Sequence, residues 1–210
     1  MYFISPQVWA WKKGRARTLS RRIRKMLVLF PFETAYYRQA RIPVAYVGHP
    51  LADVIPLEDS TAWGREQLRL SGERSLFALL PGSRQSELGY MAATFVATAR
   101  LVHERLPQAQ FLVPLVSRET RNLFQAALYD AGAQDLPVTI LFGHAREAVA
   151  AADTVLVASG TATLETALYR KPMVITYRMA ALTWRFMSRM RYLPYVGLPN
   201  IIAGEFIVPE

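Results

Sequence analysis

Short apolar runs alternate with amphipathic stretches along most of this chain. Leu76–Leu80, Gln110–Pro114, Val138–Leu141, Thr154–Ala158 and Met173–Thr176 are mostly apolar and bounded by turn residues, which predicts strands buried on both faces. Between and after them, Ser86–Arg105, Arg118–Ala131, Ala145–Ala151, Thr161–Tyr169 and Ala181–Arg191 carry helical spacing. Strands that alternate with helices in this way predict a parallel sheet covered by helices, an α/β fold. The pattern upstream is sparser. Tyr2-Phe3-Ile4 reads as the tail of a buried strand, Ala16–Ile23 as a short basic helix, and Met26–Phe30 and Val44–Val47 as strands. Pro31 and Glu33 open a helix that runs to about Gln39, with proline in its first turn and an acid favouring the dipole. Residues 1–50 and 75–177 thus form two α/β pieces joined by a polar connector around Pro56–Ser60. The first piece has too few strands to stand alone, so its remaining strands are expected from upstream of residue 1.

Composition narrows the possibilities. Of 210 residues, 52% are apolar, ample for a core. With no cysteine, disulfides and Cys-based zinc sites are excluded. The three histidines, His49, His103 and His144, lie far apart and no acidic metal motif is present, so neither a metal nor a cofactor is expected. No run of 18 apolar residues occurs, and the N-terminal stretch lacks the apolar region and cleavage site of a signal peptide. The protein is therefore expected to stay in the compartment where it is made.

Charge is uneven. The net charge is +9, and all of it lies in residues 1–50, where ten Lys and Arg face the single acid Glu33. The remainder is balanced. A partner dense in negative charge follows: nucleic acid, anionic lipid headgroups or a phosphorylated substrate. No nucleic-acid motif accompanies the basic stretch Lys12–Lys25. In Ala181–Arg191, Leu182, Phe186 and Met190 fall on one helical face, and Arg178, Arg185 and Arg189 on another. That pattern suits either core packing or a membrane interface.

Two turns carry candidate chemistry. Leu76–Leu80 runs into Pro81-Gly82-Ser83-Arg84, with Glu87 where a helix begins. A strand-to-helix junction offers free N–H groups and a positive dipole end to phosphate oxygens, and Arg84 adds a planar cationic fork. The same residues also suit a plain turn. Val155–Ala158 runs into Ser159-Gly160-Thr161-Ala162-Thr163-Leu164-Glu165. Its small residues admit a ligand close to the backbone, its hydroxyls suit a helix cap or a phosphate, and Glu165 suits the hydroxyls of a ribose. His49, in a Gly-His-Pro loop with Asp53 four residues on, is the local candidate for a base, or else a structural hydrogen-bonder near a hinge.

These blocks, with Ser5–Trp11, Leu29–Glu33, Val47–Asp53, Leu79–Glu87, Ala158–Glu165, Pro172–Val174, Tyr177-Arg178 and Tyr195–Gly204, resemble in order those of the lipid-A-disaccharide synthase family. The resemblance implies a GT-B architecture: a Rossmann-like parallel sheet covered by helices, with an incomplete second Rossmann-like domain. It implies an inverting, metal-independent transfer of 2,3-diacylglucosamine from its UDP derivative to 2,3-diacylglucosamine 1-phosphate (lipid X), releasing UDP, in lipid A biosynthesis. On this resemblance residues 1–55 are the second part of an acceptor-side domain, 56–195 the donor-binding domain, and 196–210 the start of a segment returning to the first. Gly82, Ser83 and Arg84 would contact the diphosphate, and Glu87 would belong to the same substrate-binding set. Ser159, Gly160, Thr161 and Thr163 would hold phosphates, Glu165 the ribose, and Arg84 and Asn200 would act in the cleft. The family's general base is expected ahead of Ser5, and the chain is expected to be truncated at both ends. Partners implied are the two sugar substrates and the inner face of the bacterial inner membrane as a peripheral, cytoplasmic site, with no nucleic acid, and a second copy of the chain where the family's C-terminal region is present. A UDP-sugar 2-epimerase shares these loops but leaves Ser5–Trp11 unexplained. A basic module for membrane or nucleic acid accounts for Lys12–Lys25 alone.

Overall fold

Two parallel sheets build the molecule, each from strand–helix crossovers. The computed structural model describes residues 1–4, 23–70, 74–178 and 194–210. Expected helices at Ala16–Ile23 and Ala181–Arg191, and nearly all of the basic stretch Lys12–Lys25, lie outside the described residues.

The first sheet has the order β1 (Tyr2–Phe3), β2 (Met26–Val28), β3 (Val44–Tyr46), all parallel, with Tyr2 opposite Met26 and Met26 opposite Val44. Helix α1 (Pro31–Gln39) makes the crossover, and Met26, Val28, Tyr37 and Ile42 form a small core beneath it. Its start follows from the sequence. Pro31 occupies the first turn, and the buried Glu33 carboxylate reaches back to accept the Phe30 N–H at 3.1 Å. β2 ends at Val28, two residues earlier than the apolar run suggests, and Leu29 and Phe30 lead into α1 instead. Tyr2, Phe3 and Ile4 were expected to be buried, but about half of each side chain is exposed. Among the described residues only β2 borders that strand, so its side chains lack a covering layer.

The connector is more ordered than its polarity suggests. It holds α2 (Leu51–Val54) and α3 (Thr61–Gln67), and Asp59 accepts the Thr61 N–H and hydroxyl at 3.0 and 2.6 Å to start α3. Gly64 lets α3 lie against α6 (Ala145–Ala151). A Cβ there would come within 2.5 Å of the Ala151 nitrogen. Leu51 and Ile55 pack with Ala162 of α7 (Thr161–Leu168), which fastens the end of the first piece to the second sheet.

The second sheet contains β4 (Leu76–Leu80), β5 (Gln110–Leu115), β6 (Val138–Phe142), β7 (Thr154–Ala158) and β8 (Met173–Thr176), in the order β6-β5-β4-β7-β8. All are parallel, and each lies within one residue of its expected bounds. Alternate side chains serve opposite faces. Leu79, Phe111, Val113 and Leu115 pack with Phe95 of α4 (Gln85–Arg105) and Phe124 of α5 (Arg118–Asp130). Ala78, Leu80, Val155 and Val157 pack with Val149 of α6 and residues of α7. The chain leaves β4 toward β5 and β6, then crosses back to β7 on the other side. The topological switch point therefore lies between β4 and β7, where open α/β sheets bind ligands beyond the carboxyl ends of their strands. The chain finishes in α8 (Leu198–Ala203) and a segment whose Pro209 carbonyl accepts the Ile175 N–H at 2.9 Å, against β8.

Candidate functional site

Both turns singled out in the sequence leave the strands that flank the switch point. Leu80 is paired with Val157, so Pro81–Arg84 and Ser159-Gly160 emerge side by side.

In the first turn Gly82 takes φ of +111°, a conformation that favours glycine, and a Cβ there would meet the Glu87 side chain at 3.2 Å. Arg84 precedes α4 in extended geometry and pairs with Glu87 one turn on. Three-quarters of the Arg84 side chain is exposed, so most of its five N–H donors remain open to a ligand. The 21-residue helix behind it supplies three first-turn N–H groups without intrahelical acceptors and an aligned dipole.

The second turn is wired internally. Gly160 has φ of +151° and open space around its Cα, so its requirement for glycine is conformational rather than steric. The Ser159 N–H donates to the Thr176 carbonyl at 3.1 Å, and its hydroxyl donates to the Val196 carbonyl at 3.1 Å. Thr163 is wholly buried and its hydroxyl donates to the Gly160 carbonyl at 2.7 Å. These two hydroxyls shape the turn, while Thr161 is exposed and Gly160 presents bare backbone.

Glu165 stands on α7 with its side chain largely buried and its carboxylate 3.4 Å from the Arg146 Nε at the start of α6. Burial raises its pKa above the ordinary carboxylate value. The Arg146 charge and hydrogen bond oppose this, and nearby Glu147 adds to it. Arg146 was not anticipated from the sequence, since no spacing links it to Glu165. The link appears only once β6 and β7 are known to lie on opposite sides of β4.

His49 sits at the end of β3, its Nδ1 accepting the Leu51 N–H at 3.2 Å and its ring 5.7 Å from that of Phe30. Burial lowers its pKa, which keeps it neutral with the proton on Nε2. With Nδ1 accepting the N–H that starts α2 and the proton on Nε2, the ring has no free lone pair for taking a further proton in this geometry. Asn200 is fully buried. Its amide donates to the Val208 carbonyl and the Glu210 carboxylate at 2.9 and 2.8 Å, and its oxygen accepts the N–H groups of Ile207 and Val208 at 2.9 and 3.0 Å. Every bonding position of that side chain is used within the protein. The structure thus gathers Gly82, Ser83, Arg84, Ser159, Gly160 and Thr161 at the carboxyl ends of β4 and β7, with Glu165 one turn into α7 against Arg146. It places Asn200 among residues 207–210 of the closing segment and His49 at the start of α2.

Among the described residues no three His, Cys, Asp or Glu side chains converge as metal ligands, and no helix is long and apolar enough to cross a membrane. A cavity of about 340 Å³ bounded by Asp59, Asp153, Tyr169 and Lys171 lies at the other end of the sheet. Its rim is structural: Lys171 donates to Thr61 at 2.6 Å, and Arg65 grips both oxygens of Asp153 at 3.1 and 3.2 Å, tying α3 to the sheet.

Two helix-flanked parallel sheets, with glycine turns at the switch point, define a double Rossmann-like protein of the GT-B glycosyltransferase type. The wall teichoic acid polymerase TagF shares this fold, with a TM-score of 0.53 at 14% identity over 86% of this chain and 46% of its own. So does the pneumococcal O-GlcNAc transferase GtfA, solved with UDP and GlcNAc, with a TM-score of 0.51 at 15% identity over 81% of this chain and 34% of its own. The sequence is more specific. The model of the lipid-A-disaccharide synthetase family matches residues 1–210, and the chain belongs to that family. Lipid-A-disaccharide synthases of Methylobacillus flagellatus, Dechloromonas aromatica and Aromatoleum aromaticum are 53, 54 and 56% identical across the whole chain. The chain spans 56, 55 and 54% of their lengths, about half of each relative.

Proposed function

We propose that this chain carries the donor-binding half of a lipid-A-disaccharide synthase: it holds the UDP derivative of 2,3-diacylglucosamine and stabilises UDP as the leaving group. The in-register exit of the Gly82 and Gly160 turns at the switch point is the observation that carries this reading. The diphosphate lies over Gly82 and Gly160, against N–H groups at the starts of α4 and α7. Arg84 turns its free donors to the diphosphate and offsets the negative charge that grows as the glycosidic bond breaks. Glu165, held by Arg146, accepts from the ribose hydroxyls. Attack by the hydroxyl of lipid X also needs a base, a role for which His49 is poorly arranged while its Nδ1 accepts the Leu51 N–H. The basic stretch Lys12–Lys25 supplies contact with the anionic membrane surface where acylated sugars reside.

Calorimetric titration of the folded chain with UDP tests the reading. One-to-one binding that weakens by about tenfold or more in Arg84→Ala supports it, since a charge-assisted bond is worth roughly 1.5–3 kcal/mol. Absence of binding, or a variant identical to wild type, removes the donor-site assignment. Formation of an epimerised sugar from UDP-N-acetylglucosamine would favour an epimerase instead.

A further inference from the structure

The C-terminal segment is joined to the second glycine turn through a single peptide unit. The Val196 carbonyl accepts the Ser159 hydroxyl at 3.1 Å, and the Gly197 N–H of the same peptide donates to Glu210 Oε1 at 2.8 Å. Glu210 Oε1 also takes the Asn200 amide at 2.8 Å, and Oε2 takes the Val196 N–H at 2.9 Å. One carboxylate thus gathers three N–H donors. Packing leaves this peptide little freedom: a Cβ on Gly197 would lie 2.2 Å from Ile175 Cδ1 and 3.1 Å from Glu210 Oε1. The Tyr195 hydroxyl closes the loop on the Gly204 carbonyl at 2.5 Å, and its ring meets that of Phe206 edge-on.

We infer that Glu210 is a positioning residue for the donor site: through the Val196–Gly197 peptide it fixes the Ser159 hydroxyl and so holds the Ser159-Gly160 turn in its binding shape. The inference rests on the reading of that turn as a phosphate cradle. The physics is that of a hydrogen-bond chain. A carboxylate on the N–H side of a peptide polarises its carbonyl and strengthens the bond that carbonyl accepts. Ser159 then spends its only hydroxyl proton on Val196, and the turn keeps the positive φ at Gly160 that aims its backbone at the crevice. Asn200 completes the device by binding residues 207 and 208, which brings Glu210 to its three donors.

Two measurements test this. The first is hydrogen exchange of the ligand-free chain, read on peptides covering residues 159–163. Glu210→Ala should speed exchange there by about tenfold, the factor expected for loss of roughly 1.4 kcal/mol of local stability. Should the alanine variant not fold, Glu210→Gln, which keeps the shape but sets an amide N–H₂ against backbone N–H donors, takes its place. Unchanged exchange at 159–163 in a folded variant overturns the inference. The second is a double-mutant cycle on UDP affinity with Ser159→Ala. If Glu210 acts through Ser159, its substitution weakens UDP about tenfold in the wild-type background and under threefold in Ser159→Ala. Equal factors in both backgrounds overturn it. If wild type binds no UDP, the donor-site reading fails, while the exchange result still decides the role of Glu210.

Discussion

The turns at Gly82 and Gly160 look alike in sequence, each a glycine between a buried strand and a helix, yet the structure equips them differently. At Gly82 the cationic side chain is outward: Arg84 is exposed and, among the described residues, pairs with Glu87 alone. At Gly160 they are inward: Ser159 and Thr163 spend their hydroxyls on the Val196 and Gly160 carbonyls. One turn offers mobile charge, and the other offers backbone of fixed shape. A diphosphate needs both, because charge supplies attraction and preorganised N–H groups hold position without reorganising.

The contrast can be broken in order of expected effect. Arg84→Ala should weaken UDP by about ten- to a hundredfold with little change in melting temperature, as expected for an exposed charge-assisted contact. Loss of fold rather than affinity would show Arg84 to be structural. Gly160→Ala meets no atom within 4 Å, so it should act through backbone strain alone, about 1–3 kcal/mol, lowering both stability and affinity. Gly197→Ala, by contrast, collides with Ile175, and overpacking of about 1–3 kcal/mol should appear in denaturant unfolding. An unchanged midpoint for either variant contradicts the geometry. Thr163→Val should cost about 0.5–1.5 kcal/mol of stability by deleting one buried hydrogen bond, with a smaller effect on UDP than Arg84→Ala. The reverse ranking would mean that Thr163 touches the ligand.

The pH response sharpens the role of Glu165. Its folded pKa is raised by burial, so ionisation costs the free protein stability as pH rises through that value, and the protonated form is favoured below it. Ribose recognition by the carboxylate has the opposite sign. UDP affinity should therefore fall as pH drops toward the carboxylate range, beginning above the ordinary value of 4.5. Glu165→Gln should flatten that part of a calorimetric pH series. A series that Glu165→Gln leaves unchanged removes Glu165 from the nucleotide.

Much of this was legible beforehand for reasons the structure makes plain. Strands β4, β5 and β7 are buried on both faces, while the edge strands β6 and β8 leave Phe142 and Val174 exposed; all five still read as apolar runs with turn residues at their ends, and the crossovers follow. Both glycine turns were visible because positive φ demands glycine there. Tyr2–Phe3 forms the expected strand, but its side chains and that of Ile4 are half exposed, because apolar content says nothing of what covers a strand. Helix α3 lay in the stretch read as a polar connector, and its packing rests on the close approach of Gly64 to Ala151, which no periodicity marks. The couplings were hidden for a different reason. Arg146 meets Glu165, and Glu210 meets Val196 and Gly197, only through tertiary folding, and no periodicity encodes such pairs. Asn200 was legible as a polar residue in a family block, but its saturation by residues 207, 208 and 210 was not.

The central claim is that the two unlike turns form one nucleotide site. A hydrogen-exchange footprint of the folded chain with and without saturating UDP tests it most directly. The account predicts protection of peptides covering residues 81–88 and 158–165 together, with the cavity peptides around Asp59 and residues 169–172 unchanged. Protection confined to that cavity, or of one turn without the other, would contradict it.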